Sequence, residues 1–141
     1  MAAENSFSLS VFLYIFNKDA SKLLMIKRNE GKRKKWGFDW GIIGGIVEPG
    51  ELSIEAGIRE AQEEIGVTLK EQQIRFLFFE ERPSAVHTPA VHFFYAIKLD
   101  EHLKITINEE SDEFKWQPVN SLPESMLDKE RIQKVLQILK H

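Results

Sequence analysis

Residues 45–67 read GIVEPGELSIEAGIREAQEEIGV, a glycine turn running into a short helix whose acids crowd one face. This stretch constrains the fold more than any other. Ser53 is read as the N-cap, with Glu55 in the first turn, where a carboxylate meets the positive end of the helix dipole. Gly66 is read as a left-handed stop. Between them Ile54, Ile58, Ala61 and Ile65 share one narrow stripe at about 100° per residue, which predicts the buried face. Glu60, Glu63 and Glu64 stand at i, i+3 and i+4 and predict a second, acidic face. Ala56 and Gly57 lie a turn earlier and add little bulk, so open space is expected above the acids.

Carboxylates packed this way repel one another. A like-charge pair at i,i+4 destabilises a helix by roughly 0.2–0.5 kcal/mol. Only Arg59 offsets six acids between Glu48 and Glu64. A hard divalent cation resolves the conflict, because Mg²⁺ takes oxygen ligands, typically one or two carboxylates with waters and substrate phosphates. Three acids alone at this spacing are more often a solvated surface helix that binds nothing. The preceding loop, Gly44 to Glu51, suits a ligand site. Its glycines let backbone approach a metal or phosphate closely, and Pro49-Gly50 signals a tight turn. Arg59 carries a planar fork able to grip a carboxylate bidentately, or it is an ordinary i,i+4 partner of Glu63.

The spacing Gly45, Glu51, Arg59-Glu60-Ala61, Glu63-Glu64, Gly66-Val67 meets all nine specified positions of a 23-residue pattern. It resembles the signature of the Nudix hydrolases, which include the MutT-like pyrophosphohydrolases. The resemblance implies an α/β/α sandwich: a mixed β-sheet with the catalytic helix in a loop–helix–loop motif. Residues 1–141 are then one domain around the 45–67 box. It also implies a hydrolase that uses Mg²⁺ or Mn²⁺ to cleave a phosphoanhydride in a nucleoside diphosphate linked to another moiety, such as a nucleoside triphosphate or an ADP-ribose-like compound. Glu60 and Glu64 are the first-choice ligands, with Glu63 supporting, and a carbonyl at Gly44 or Gly45 helps to hold the metal. Glu51 pairs with Arg59 and locks the loop, completing a catalytic set of Glu51, Arg59, Glu60, Glu63 and Glu64. Gly44, Gly45 and Arg28, the last at a strand end, are expected at the substrate. Relatives draw a base or a further ligand from a downstream acidic segment. Glu60, Glu109, Glu110 and Glu113 are therefore candidates for the base, with Asp112 beside them.

The remaining chain agrees with such a fold. At 141 residues and 43% hydrophobic, it is large enough for one core. Strands are read at Phe7–Phe16, Leu23–Lys27, Ile74–Phe79, Val91–Leu99 and Phe114–Val119. A closing helix over Met126–Leu139 carries Ile132, Val135, Leu136 and Leu139 at helical spacing. No apolar run approaches the roughly 18 residues of a membrane span, and MAAENSFSLS lacks the basic start of a signal peptide. A cytoplasmic protein is expected. The absence of cysteine excludes a thiol nucleophile. The net charge of −3 argues against nucleic acid as the main partner.

Several residues near the box invite roles. Six of the 19 basic residues fall within Lys27–Lys35; they either draw in a polyphosphate or form a solvated loop. Trp36, Phe38 and Trp40 can stack on a base, although Trp40 reads as core. Ile43 stands where relatives often carry proline, and Ile46 where some MutT-like enzymes carry lysine, so that subgroup's substrate preference does not transfer. His87 and His92 titrate near neutrality, though a lone histidine is more often plain structure. Pro83 is a weak pointer to ADP-ribose hydrolases. Two other readings compete with a hydrolase: an isomerase of the same fold, which ordinarily needs a cysteine, and a nucleotide-sensing module, which usually loses box glutamates. Relatives are frequently homodimers.

Overall fold

β1 (Ser8–Phe16) is the spine on which the chain is assembled. Its alternating side chains serve two cores. Val11, Leu13 and Ile15 face one layer, and Phe12, Tyr14 and Phe16 the other. The computed structural model describes residues 7–83 and 89–141; His87 lies outside them.

Along its whole length β1 pairs in parallel with β6 (Ala90–Lys98), and β5 (Ile74–Arg82) pairs antiparallel with β6. On the other side, β1 divides its partners. β2 (Lys22–Arg28) meets it only at Phe16↔Leu23, and β4 (Ile43–Ile46) covers its first half, from Ser10↔Ile46 to Leu13↔Ile43. β2 diverges to pair with β3 (Trp40–Gly41) and β7 (Ser111–Pro118). The sheet therefore opens between β2 and β4, and the site lies in that opening.

α2 (Ser53–Ile65) covers one face and α3 (Arg131–Leu139) the other, giving an α/β/α sandwich with a mixed sheet. α1 (Glu30–Trp36) lies at the end of β2. The cap of α2 falls one residue before the expected Ser53. Leu52 is the N-cap, and its backbone N–H donates to Glu55 at 2.7 Å. Ser53 instead shares a hydrogen bond with the Tyr95 hydroxyl at 2.6 Å. Gly66 ends the helix at φ 67.

Three segments differ from the sequence reading. The basic loop is helical: Asn29 caps α1 by accepting from Lys32 N at 3.0 Å, and Gly37 stops it at φ 79. The glycine stretch before the box contains two short strands, β3 and β4. The closing helix begins at Arg131 rather than Met126, because Asp128 takes a left-handed φ of 50 that interrupts a helix. Met126 is buried in the second core and bridges Trp40.

Candidate active site

Alternation along β2 sends Leu24 and Ile26 into the core under α2 and turns Arg28 toward the same helix. There Arg28 Nη1 donates to Glu64 at 2.7 Å and Nη2 to the Ile42 carbonyl at 3.1 Å. Glu64 also accepts from the backbone N–H of Gly44 at 3.1 Å. One buried carboxylate thus ties together the end of β2, the start of β4 and the last turn of α2.

Glu64 is not on an open acidic face. Gly57 and Glu64 lie seven residues apart and so project within about 20° of each other. The helix packs on β1 at Gly57, where an added Cβ would stand 3.1 Å from Leu13 Cδ2. The small residues Ala56 and Gly57 serve that close approach, and no open space lies above them. Burial pushes the Glu64 carboxyl up to about 8, against the pull of Arg28, and the hydrogen-bonded Glu60 carboxyl raises it further. Burial therefore favours the neutral form of Glu64 near neutrality.

Glu60 lies under β4. A Cβ on Gly45 would collide with the Glu60 carboxylate, which would have to swing aside to admit it. Gly44 faces the opposite way, and its Cβ would sit 2.7 Å from the Val11 carbonyl. Arg59 joins loop and helix. Its Nε and Nη2 donate to the two oxygens of Glu51 at 2.8 and 3.0 Å, and Nη2 also reaches the Ile46 carbonyl at 2.9 Å. Nη1 reaches Glu60 at 2.8 Å and Glu63 at 3.3 Å. The hydrogen bonds from Arg59 hold the Glu51 carboxyl below its usual range, and those acids raise the guanidinium. Glu63 is the most exposed of the three helix acids.

The downstream acids separate. Glu110 pairs with Lys32 at 3.1 Å and Asp112 with Arg33 at 2.6 Å, so the acidic segment docks on α1. Glu113 pairs in register with Lys27, whose side lies on the face away from α2. Glu109 has no ion-pair partner among the described residues, and its carbonyl accepts from Asn29 at 3.1 Å. Asn108 donates to the Glu63 carbonyl at 2.9 Å and steadies the end of α2; no motif marked it in the sequence. Opposite charge in the 27–35 and 109–113 stretches was the available signal for their docking. His92 packs against Phe12 at 5.1 Å on the α3 side, across the sheet from Glu60 and Glu64. Trp36 is 58% exposed beside Lys35. Trp40 packs against the second core.

No three His, Cys, Asp or Glu side chains among the described residues are already gathered around one point. Mg²⁺ needs only one or two carboxylates from the protein when waters and phosphates complete the shell. Glu60 and Glu64 supply two, all-oxygen, and a cation would displace the proton that burial favours on Glu64. The residues present fit the ion.

A family model for the NUDIX domain matches residues 7–137. The chain is 27% identical over 122 residues to Nudix hydrolase 6 of Arabidopsis thaliana, covering 84% of this chain and 42% of that protein. It thus spans less than half of that relative. Among solved structures it is similar to the dihydroneopterin triphosphate pyrophosphohydrolase of E. coli, with TM-score 0.71, 19% identity, and 94% and 96% of the two chains covered. It is likewise similar to a C. elegans Ap4A hydrolase, with TM-score 0.69, 19% identity, and 94% and 95% covered. At these identities the structures speak to the fold. No helix of the described residues is long and apolar enough to cross a membrane.

Proposed function

The chain belongs to the Nudix family, and from that membership and the geometry above we propose that it hydrolyses a phosphoanhydride in a nucleoside diphosphate linked to a second moiety. The observation that carries this reading is the buried Glu64 carboxyl with the half-buried Glu60 beside it beneath Gly45, flanked by Arg28 and Arg59. Glu60 and Glu64 would hold Mg²⁺ or Mn²⁺, with Glu63 and the Gly45 backbone in support. The ion supplies charge neutralisation at the phosphate oxygens and acidifies the attacking water. Arg28 stands beside Glu64 with a forked cation suited to a phosphate oxygen. When the carboxylates take a metal, Arg28 is freed to make that contact. Arg59 stays on Glu51 and keeps the Gly44–Glu51 loop against the helix. The proton of the attacking water goes to a glutamate, either Glu60 or the unpaired Glu109. Lys34 and Lys35 on α1 lend positive potential.

The test is hydrolysis of a panel of nucleoside triphosphates, ADP-ribose, dinucleoside polyphosphates and nucleotide sugars with Mg²⁺ or Mn²⁺, resolving the phosphate-containing products. Release of a nucleoside monophosphate with pyrophosphate or a phosphorylated remainder supports the reading. Binding across the panel without turnover would instead identify a nucleotide-binding module.

A further inference from the structure

β5 ends the strand order β3-β2-β1-β6-β5, and among the described residues no strand pairs with its outer edge. Exposed edges of this kind are templates for another strand. This one also displays two large apolar side chains, Phe76 and Phe79, 51% and 55% exposed.

In a regular strand, residues 76 and 79 would point to opposite faces, because side chains alternate. Here the register with β6 shifts between Phe76 and Phe78. Phe76 packs edge-on against Tyr95, and Phe79 lies against Phe93, both on the α2 face. Arg75 and Glu80 lie on the α3 face: Arg75 donates to the Ile138 carbonyl at 3.3 Å, and Glu80 accepts from Arg131 at 2.9 Å. The bulge makes the face pattern symmetric about the middle of the strand.

We propose that this edge binds a second copy of the chain, the two β5 strands joining antiparallel about a two-fold axis between Leu77 and Phe78. Directly opposite residues of an antiparallel pair share a face. Phe76 of each copy then meets Phe79 of the other, and Arg75 meets Glu80. Each of these is a favourable cross-strand pair, aromatic with aromatic and cation with anion. Glu80 is already bonded to Arg131 and Arg82, but a carboxylate has about four acceptor positions and can take a further donor. The charges that usually blunt an edge against other strands are here placed to accept the same strand reversed. The site opening between β2 and β4 lies on the other side of β1 and stays clear.

Sedimentation equilibrium of the full chain at micromolar concentration should show a dimer. Arg75→Glu sets like charges against Glu80 and should raise the dissociation constant at least tenfold, while Arg75→Lys should preserve association. Phe79→Lys should give a monomer with an unchanged thermal melt. If that variant fails to fold, the exposed Arg75 variants carry the test alone. The register has its own readout, since the chain contains no cysteine. A mixture of Phe76→Cys and Phe79→Cys chains should cross-link under mild oxidation, and neither alone should do so. A monomeric parent protein overturns the proposal, leaving the edge free or reserved for a different strand. A dimer that survives Arg75→Glu overturns it as well, by placing the interface elsewhere.

Discussion

Arg28 and Glu64 meet at 2.7 Å with side chains only 15% and 2% exposed. Removing one partner of a buried ion pair usually costs more than the pair contributes, because a charge is left uncompensated. Glu64 departs from that rule, since burial already favours its neutral form. Glu64→Gln should therefore fold normally and melt within a few degrees of the parent. Its turnover should fall about a hundredfold or more, equivalent to about 2.7 kcal/mol of lost transition-state stabilisation. Near-normal turnover at saturating Mg²⁺ would remove Glu64 from the reacting centre.

Two glycines separate a spatial role from a conformational one. At Gly45 an added methyl strikes the Glu60 carboxylate, so Gly45→Ala should displace that side chain and lower turnover about tenfold or more. At Gly50 nothing lies within 4 Å of an added Cβ, but φ is 82. Gly50→Ala should cost about 1 kcal/mol of stability through left-handed strain and leave turnover nearly intact. Equal kinetic losses in the two variants would show that Glu60 has no special need of the space.

Metal and stability are linked in the same way. A cation that binds Glu60 and Glu64 in the folded protein, displacing the proton favoured on Glu64, should raise Tm with concentration by mass action. Mg²⁺ should do so for the parent chain and have little effect on the Glu60→Gln/Glu64→Gln variant. Equal shifts in the two proteins would place the stabilising ion elsewhere.

Four of the five strands and the box helix were legible because each carries an apolar run or stripe, whereas the Phe114–Val119 strand offered only its alternating Phe114 and Trp116. α1 was not, because it buries no residue and therefore has no apolar period; only Asn29 and Gly37 mark its ends. β3 and β4 were hidden by their glycines, which are depleted in strands. In the site, the kind of residue was readable and its depth was not. Glu64 reads as a member of an acidic face, yet its seven-residue relation to Gly57 turns it inward. The docking of the 109–113 acids on α1 joins residues some 80 positions apart, and no local pattern encodes the choice of partner.

Glu80 provides a pH test away from the site. Burial alone would raise its carboxyl, but hydrogen bonds and charge from Arg131, then Arg82, outweigh that and leave it depressed. A depressed carboxyl stabilises the fold above its unfolded pKa of about 4.3, and that contribution disappears as pH falls through the folded value. The stability gap between parent and Glu80→Gln should be constant above about pH 5 and shrink toward pH 3 in denaturant titrations. A gap independent of pH would show that Glu80 acts by packing.

Arg59 decides whether the loop is held or the substrate is gripped. Its fork spans both oxygens of Glu51 and the Ile46 carbonyl, a geometry that lysine cannot reproduce. Arg59→Lys should keep the helix, since Ala61, Glu64 and Ile65 remain packed. The loop from Gly44 to Glu51 should loosen, and with it the position of Gly45 over Glu60. The expected result is a clear fall in kcat, with faster amide exchange confined largely to residues 44–52. A direct substrate contact predicts the opposite split: a raised KM with loop exchange unchanged. Both quantities measured on that single variant separate the roles, because only a clamp couples turnover to loop opening.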